Sequence, residues 1–148
     1  MDEFAKNLSE KLTEIYKNVT RLEENALRDG EINLTISEIH FVMLLNNHKD
    51  GLRVSEIAKE MDVSKPTVTV AVNKLVKKGY ANKESGTDAR QVNVKLSPEG
   101  QRVAILHKKC QREVVKKLGN EFSDNQREVL LKAIDRLNLY FKPKESIE

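Results

Sequence analysis

Apolar residues recur every three or four positions across residues 3–29: Phe4, Leu8, Leu12, Ile15, Tyr16, Val19, Leu22 and Ala26. That period predicts one long amphipathic helix, which Gly30 ends. A second helix is expected from near Ser37, carrying Ile39, Val42, Met43 and Leu45. Asp50-Gly51 turns the chain into a very short strand near Leu52 and Arg53. Next comes a short helix that Ser55 can cap, with Ile57, Ala58 and Met61 on one apolar side. Val63 is expected to plug the turn after it. Ser64 then caps another helix, and Pro66 lies in the first turn, where a missing N–H costs little. Val68, Ala71, Val72 and Leu75 share one face of this helix, and Gly79 closes it at the C′ position.

Two short strands follow, joined by a polar loop holding Gly86, Asp88 and Arg90. Ser97-Pro98-Glu99 then opens a long helix whose apolar line runs Val103, Leu106, Cys110, Val114 and Leu118. Ser123 and Asp124 start the last helix, with Leu130, Ile134, Leu137 and Phe141 on one face and Pro143 stopping it.

Helix, turn, helix and hairpin in this order predict a mainly α fold with a small β-hairpin wing: a winged helix-turn-helix with long terminal dimerisation helices. The whole chain, residues 1–148, reads as a single domain. Residues 3–29 and 98–142 supply the dimerisation helices, and residues 35–97 the winged module. The face of the second module helix opposite its apolar side holds Pro66, Thr69, Val70, Asn73 and Lys77. An outward valine is awkward for solvent and sensible against a thymine methyl. Asn73 can pair bidentately with adenine, and the threonines can serve bases or phosphates. The candidate DNA-binding residues are Ser64, Lys65, Pro66, Thr67, Thr69, Val70, Asn73, Lys74, Lys77, Asp88 and Arg90. A plain alternative is a solvated amphipathic helix beside an ordinary hairpin, but cap, proline, closing glycine and charged loop together are more specific than that.

Charge sharpens the picture. The formal net charge is only +3, yet residues 53–95 hold nine Lys/Arg against five Asp/Glu, and the remainder 17 against 18. The basic excess coincides with the proposed groove reader. The single cysteine, Cys110, excludes an intramolecular disulfide framework and suits a reducing cytoplasm. No signal peptide and no transmembrane span are expected, so the reading is cytoplasmic, without a membrane partner.

The outer apolar stripes exceed what one small winged module can cover. They predict a homodimer that sets two recognition helices about one DNA turn apart, on a pseudo-palindromic operator of double-stranded DNA. An intramolecular bundle in a monomer is the alternative. Enzymatic function finds no support: the glycines are scattered turn residues, and no catalytic constellation stands out. No cofactor is expected. A winged helix used only for protein–protein contact is a further alternative, although it leaves Thr69, Val70, Asn73 and Arg90 without partners.

LVKKGY at 75–80, Asp88-x-Arg90 and LSPEG at 96–100 resemble the MarR family of bacterial transcription regulators, and the likeness runs over nearly the whole chain. It implies that Arg90 enters the minor groove and that Asp88 holds the wing. Many members carry a second basic residue where this chain has Ala89, which implies a weaker wing. LTEIYKNVTRLEENALRDG, ISEIH, TVTVAVNKLVKKGY and RVAILHKKC are similar to MarR-type repressors of fatty-acid biosynthesis genes in low-GC Gram-positive bacteria. That subgroup implies long-chain acyl-acyl carrier protein as co-repressor, with histidines matching His40 and His107.

The candidate ligand pocket comprises Ile15, Val19, His40, Met43, Leu106 and His107, an apolar cleft for a small apolar effector or an acyl chain. Other readings of the histidines remain open. Both can be satisfied by hydrogen bonds at the helix junction. With Cys110 one turn beyond His107 they could instead bind zinc, as in zinc-responsive MarR-type regulators. No acidic residue is obvious nearby in the sequence, and no metal ligand is assigned. Cys110 as a redox switch lacks an exposed cationic setting.

Overall fold

The computed structural model describes residues 2–85 and 91–142. Among the described residues six helices and three strands are seen: α1 (Glu3–Asp29), α2 (Ile36–Asn46), β1 (Leu52–Arg53), α3 (Val54–Met61), α4 (Lys65–Lys77), β2 (Ala81–Ser85), β3 (Val92–Leu96), α5 (Pro98–Asn120) and α6 (Asp124–Phe141). The expected very short strand exists and pairs antiparallel with β3, Leu52 opposite Val94. β2 pairs with the other edge of β3, Ala81 opposite Leu96 and Lys83 opposite Val94. The sheet order is therefore β1-β3-β2. The loop residues Gly86, Asp88 and Arg90, and Pro143, lie outside the described residues.

The chain divides into two compact units, Met1–Lys108 and Lys109–Glu148. The core of the first draws fully buried aliphatic residues from five elements: Ile39 and Val42 of α2, Ile57 of α3, Val68, Val72 and Leu75 of α4, Val94 of β3 and Val103 of α5. Side chains of this size stabilise by roughly 1.5–3 kcal/mol each when removed from water. The recognition-type helix α4 is thus anchored by three of them. In the second unit α6 buries no residue, and α5 buries only Gly100, Val103 and Ala104, all before Lys109.

Local chemistry departs from the sequence reading at several points. Thr35 caps α2: its hydroxyl accepts from the Glu38 N–H at 3.1 Å, and the Glu38 carboxylate accepts from the Thr35 N–H at 3.1 Å. The reciprocal pair satisfies two otherwise orphaned donors. Ser55 does not cap α3. The helix begins two residues earlier than that cap requires, and Glu56 Oε1 accepts from the Arg53 N–H at 3.0 Å. Val63 does not plug the turn. It stands 36% exposed, because Asp62 adopts a left-handed conformation (φ 54°) that brings the Val63 N–H back onto Ala58 O and leaves its side chain outside.

Other details follow the sequence. The Ser64 hydroxyl accepts from the Thr67 N–H at 3.3 Å, with Pro66 in the first turn. At the far end Tyr80 N–H reaches Leu75 O and Gly79 N–H reaches Val76 O, with Gly79 at φ +88°. That crossed pair is the left-handed helix stop a glycine permits. The glycine of LSPEG has a packing reason. A Cβ on Gly100 would lie 2.1 Å from Tyr80 O, so only glycine lets α5 start against the end of α4.

Candidate nucleic-acid interface

Helices α3 and α4, joined by residues 62–64, form the helix-turn-helix. Core packing by Val68, Val72 and Leu75 orients α4, and the opposite face is thereby turned to solvent. Lys65, Pro66, Thr67, Thr69, Val70, Asn73, Lys74 and Lys77 are all exposed, as is Ser64 at the cap. Eight of these nine candidates other than Pro66 can hydrogen-bond or touch a base methyl, and none is acidic. Val70 is 55% exposed on a helix whose other side is dry, so its exposure is enforced by the fold.

Lys78, just past α4, does not belong to this positive face. Its ammonium donates to both carboxylate oxygens of Glu38, at 2.8 and 3.1 Å. Glu38 is 6% exposed. Burial raises its pKa, but hydrogen bonds from Lys78 and Thr35, with the Lys78 charge, outweigh that and hold the carboxyl below its ordinary value. One carboxylate therefore ties the start of α2 to the end of α4. Sequence reading missed this pair; the Thr35-x-x-Glu38 spacing signals the cap, but nothing in the sequence joins it to Lys78.

Lys83 is the second missed residue. It lies on β2 and donates to the Asn73 amide oxygen of α4. The signal was available in the strand alternation: Ala81 is buried towards the helices, so Lys83 shares its face. On the other face Lys95 pairs with Glu84 at 3.3 Å. Of the DNA-contact residues named from sequence, Asp88 and Arg90 fall outside the described residues; the rest are gathered on α4 and its cap.

The named effector residues divide differently. Ile15 and Val19 stand about half exposed on α1, and His40 is exposed on α2. Met43 is partly buried against the core, and Leu106 is 37% exposed. His107 is not satisfied by hydrogen bonds as one reading expected: among the described residues both of its buried ring nitrogens find no partner. Burial lowers its pKa; Glu23 opposes the shift and His40 adds to it. An acidic residue, Glu23 of α1, thus does stand near His107. No group of three or more His, Cys, Asp or Glu among the described residues is placed to hold a metal ion. A separate recess of about 460 Å³ opens at the junction of α1 and α2, lined by residues that include Leu27, Ile32, Leu34 and Ile36.

Residues 32–91 match the model of the MarR family, a span that contains the whole helix-turn-helix. That segment is similar to the MarR family. Relatives extend the match beyond that segment. The Transcriptional regulator AdcR of Streptococcus pneumoniae is 25% identical over 93% of this chain and 97% of its own length. The HTH-type transcriptional regulator PchR of Bacillus subtilis is 29% identical over 73% of this chain, which spans 66% of PchR. Among solved structures, Streptococcus pneumoniae FabT in complex with DNA superposes with a TM-score of 0.87 at 28% identity, covering 92% of this chain and 96% of FabT. The S. aureus MepR–DNA complex shares the fold, with a TM-score of 0.74 at 20% identity, over 91% and 98% of the two chains. The protein is a winged-helix, DNA-binding transcriptional regulator similar to the MarR type.

Proposed function

We propose that this MarR-type regulator is a cytoplasmic homodimeric repressor that binds a pseudo-palindromic operator and responds to a long-chain acyl effector, free or carried on acyl carrier protein. The observation that carries the DNA reading is the exposed Thr69–Val70–Asn73 face, held outward by the buried Val68–Val72–Leu75 face of the same helix. Residues Ser64, Lys65, Thr67, Lys74 and Lys77 position it on phosphates. Asp88 and Arg90 are assigned to the wing contact.

Dimerisation is supported by unpartnered apolar surface on each unit taken alone. Ile15, Tyr16, Val19 and Leu22 on α1, and Leu130, Leu131 and Ile134 on α6, all stand at least 41% exposed. Contiguous apolar faces of this length mark an interaction surface. The pathway rests on the resemblance to fatty-acid biosynthesis repressors, together with the likeness to FabT on DNA. The effector site is assigned to Ile15, Val19, His40, Met43, Leu106 and His107, beside the helix that links the first helix to the winged module. A ligand there shifts operator affinity only through differential binding to two states.

The test is titration of long-chain acyl-acyl carrier protein, free acyl chains and zinc against a labelled operator selected by the protein. The reading predicts that the acyl species change operator affinity and that zinc and chelators do not. A zinc-dependent change abolished by His40→Ala would overturn the acyl reading.

A further inference from the structure

We propose that Lys83 is a positioning residue for base recognition, fixing the Asn73 amide so that the pair reads a guanine edge and not an adenine one. The inference rests on the reading of α4 as the helix that enters the major groove. Asn73 lies on the exposed face of α4, on the same helix side as Thr69, Val70 and Lys77. Lys83 reaches it from the wing strand β2, and its Nζ donates to Asn73 Oδ1.

The orientation of an amide is ordinarily ambiguous, because oxygen and nitrogen differ little in shape. Here chemistry decides it. An ammonium has three donors and no acceptor, so only the amide oxygen can face Lys83. The Asn73 NH2 group is therefore the end left to meet a base. An adenine presents N7 as acceptor and N6 as donor, and its bidentate pairing with asparagine needs the amide oxygen. Lys83 already occupies one side of that oxygen with a positive charge, and the N6 amino group would have to approach beside it. A guanine presents two acceptors, N7 and O6. Those accept from the Asn73 NH2 group and attract the nearby ammonium together.

The strand geometry makes the arrangement a designed-in position for this side chain. β2 is registered on β3 over five residue pairs, and alternation puts Lys83 on the face whose Ala81 is buried against the helices. The neighbouring Lys95 is committed to Glu84 and does not compete. A lysine one residue earlier or later on β2 would point to the other face.

The experiment is selection of binding sites from randomised duplex DNA by the native full-length protein and by Lys83→Met, Lys83→Arg, Asn73→Ala and the Lys83→Met/Asn73→Ala double variant. Lys83 is exposed, so these changes leave the core untouched. The native protein is expected to select guanine at one position per half-site. Lys83→Met is expected to lose that preference by about fivefold or more towards adenine, the lower end of what one bidentate contact discriminates. Lys83→Arg, which keeps a cationic donor, retains guanine, and Lys83→Met has no further effect on base preference once Asn73 is alanine. Uniformly weaker binding by Lys83→Met with an unchanged profile would overturn the proposal and leave Lys83 a phosphate contact. Failure of the native protein to select any sequence would overturn the groove-reading assignment on which the proposal stands, an outcome distinct from an altered profile.

Discussion

Replacing Glu38 by alanine removes two things at once, the carboxylate that accepts from the Thr35 N–H and the partner of Lys78, while the Thr35 hydroxyl still accepts from the residue-38 N–H. Losing that half of the capping box costs about 0.5–1 kcal/mol, the net contribution of one hydrogen bond. The charged hydrogen bonds contribute roughly 1.5–3 kcal/mol. Breaking a fully buried pair would cost about 3–5 kcal/mol, because the surviving charge is stranded. Lys78, however, has 26% of its side chain exposed against 8% for Glu38, so its ammonium can rotate towards water. The worked expectation is a loss of about 2–4 kcal/mol. Glu38→Gln should lose less, since an amide oxygen can still accept from the Thr35 N–H. The assay is urea unfolding at fixed protein concentration, because association shifts the apparent stability of a dimer. The pH dependence adds a sign. The folded pKa of Glu38 lies below 4.5, so its contribution is present above pH 4.5 and is lost as pH falls through the folded value. Glu38→Gln should flatten that acid limb. A change under about 0.5 kcal/mol in the alanine variant, below the net contribution of one ordinary hydrogen bond, would refute the assignment of Glu38 as the tie between α2 and α4.

Gly100→Ala should destabilise by about 1–3 kcal/mol, an overpacking cost, because its methyl would meet Tyr80 O at 2.1 Å; an unchanged unfolding midpoint would show that α5 can shift freely. His107 has a folded pKa below 6.5, so the unfolded chain takes up the proton first. Stability should hold above pH 6.5 and decline below it, and His107→Phe should remove that decline in a pH series of thermal melts; a decline preserved in the variant would assign it elsewhere. Arg90→Ala should weaken operator binding by roughly 1–3 kcal/mol at fixed salt, and an unaltered dissociation constant would remove Arg90 from the wing contact.

The winged module was legible because its signals are local. Ser64, Pro66 and Gly79 punctuate α4 through backbone chemistry that depends on a few neighbours, and the buried trio Val68, Val72 and Leu75 follows from helical period. The pairing of β1 with β3 was also foreseeable, since Asp50-Gly51 turns the chain directly before Leu52. What escaped depends on tertiary approach. Glu38 and Lys78 are forty residues apart in sequence, and neither pattern nor spacing brings them together. Lys83 gains its place beside Asn73 only through the packing of β2 on α4. The misplaced cap at Ser55 and the exposed Val63 have a cause each, at opposite ends of α3: the Arg53–Glu56 hydrogen bond sets its start, and the left-handed Asp62 sets its end.

The central claim is that the outward face of α4 reads DNA sequence, and the specificity ratio tests it most directly. The dissociation constants of the native dimer for its selected duplex and for a scrambled duplex of equal length are measured at one near-physiological salt concentration. The account predicts a ratio of about 10³ or more, the lower bound for sequence-specific regulators, with the ratio collapsing in Val70→Asp while its fold is retained. A ratio near one in the native protein would contradict it, leaving α4 a face that meets only phosphates or another protein.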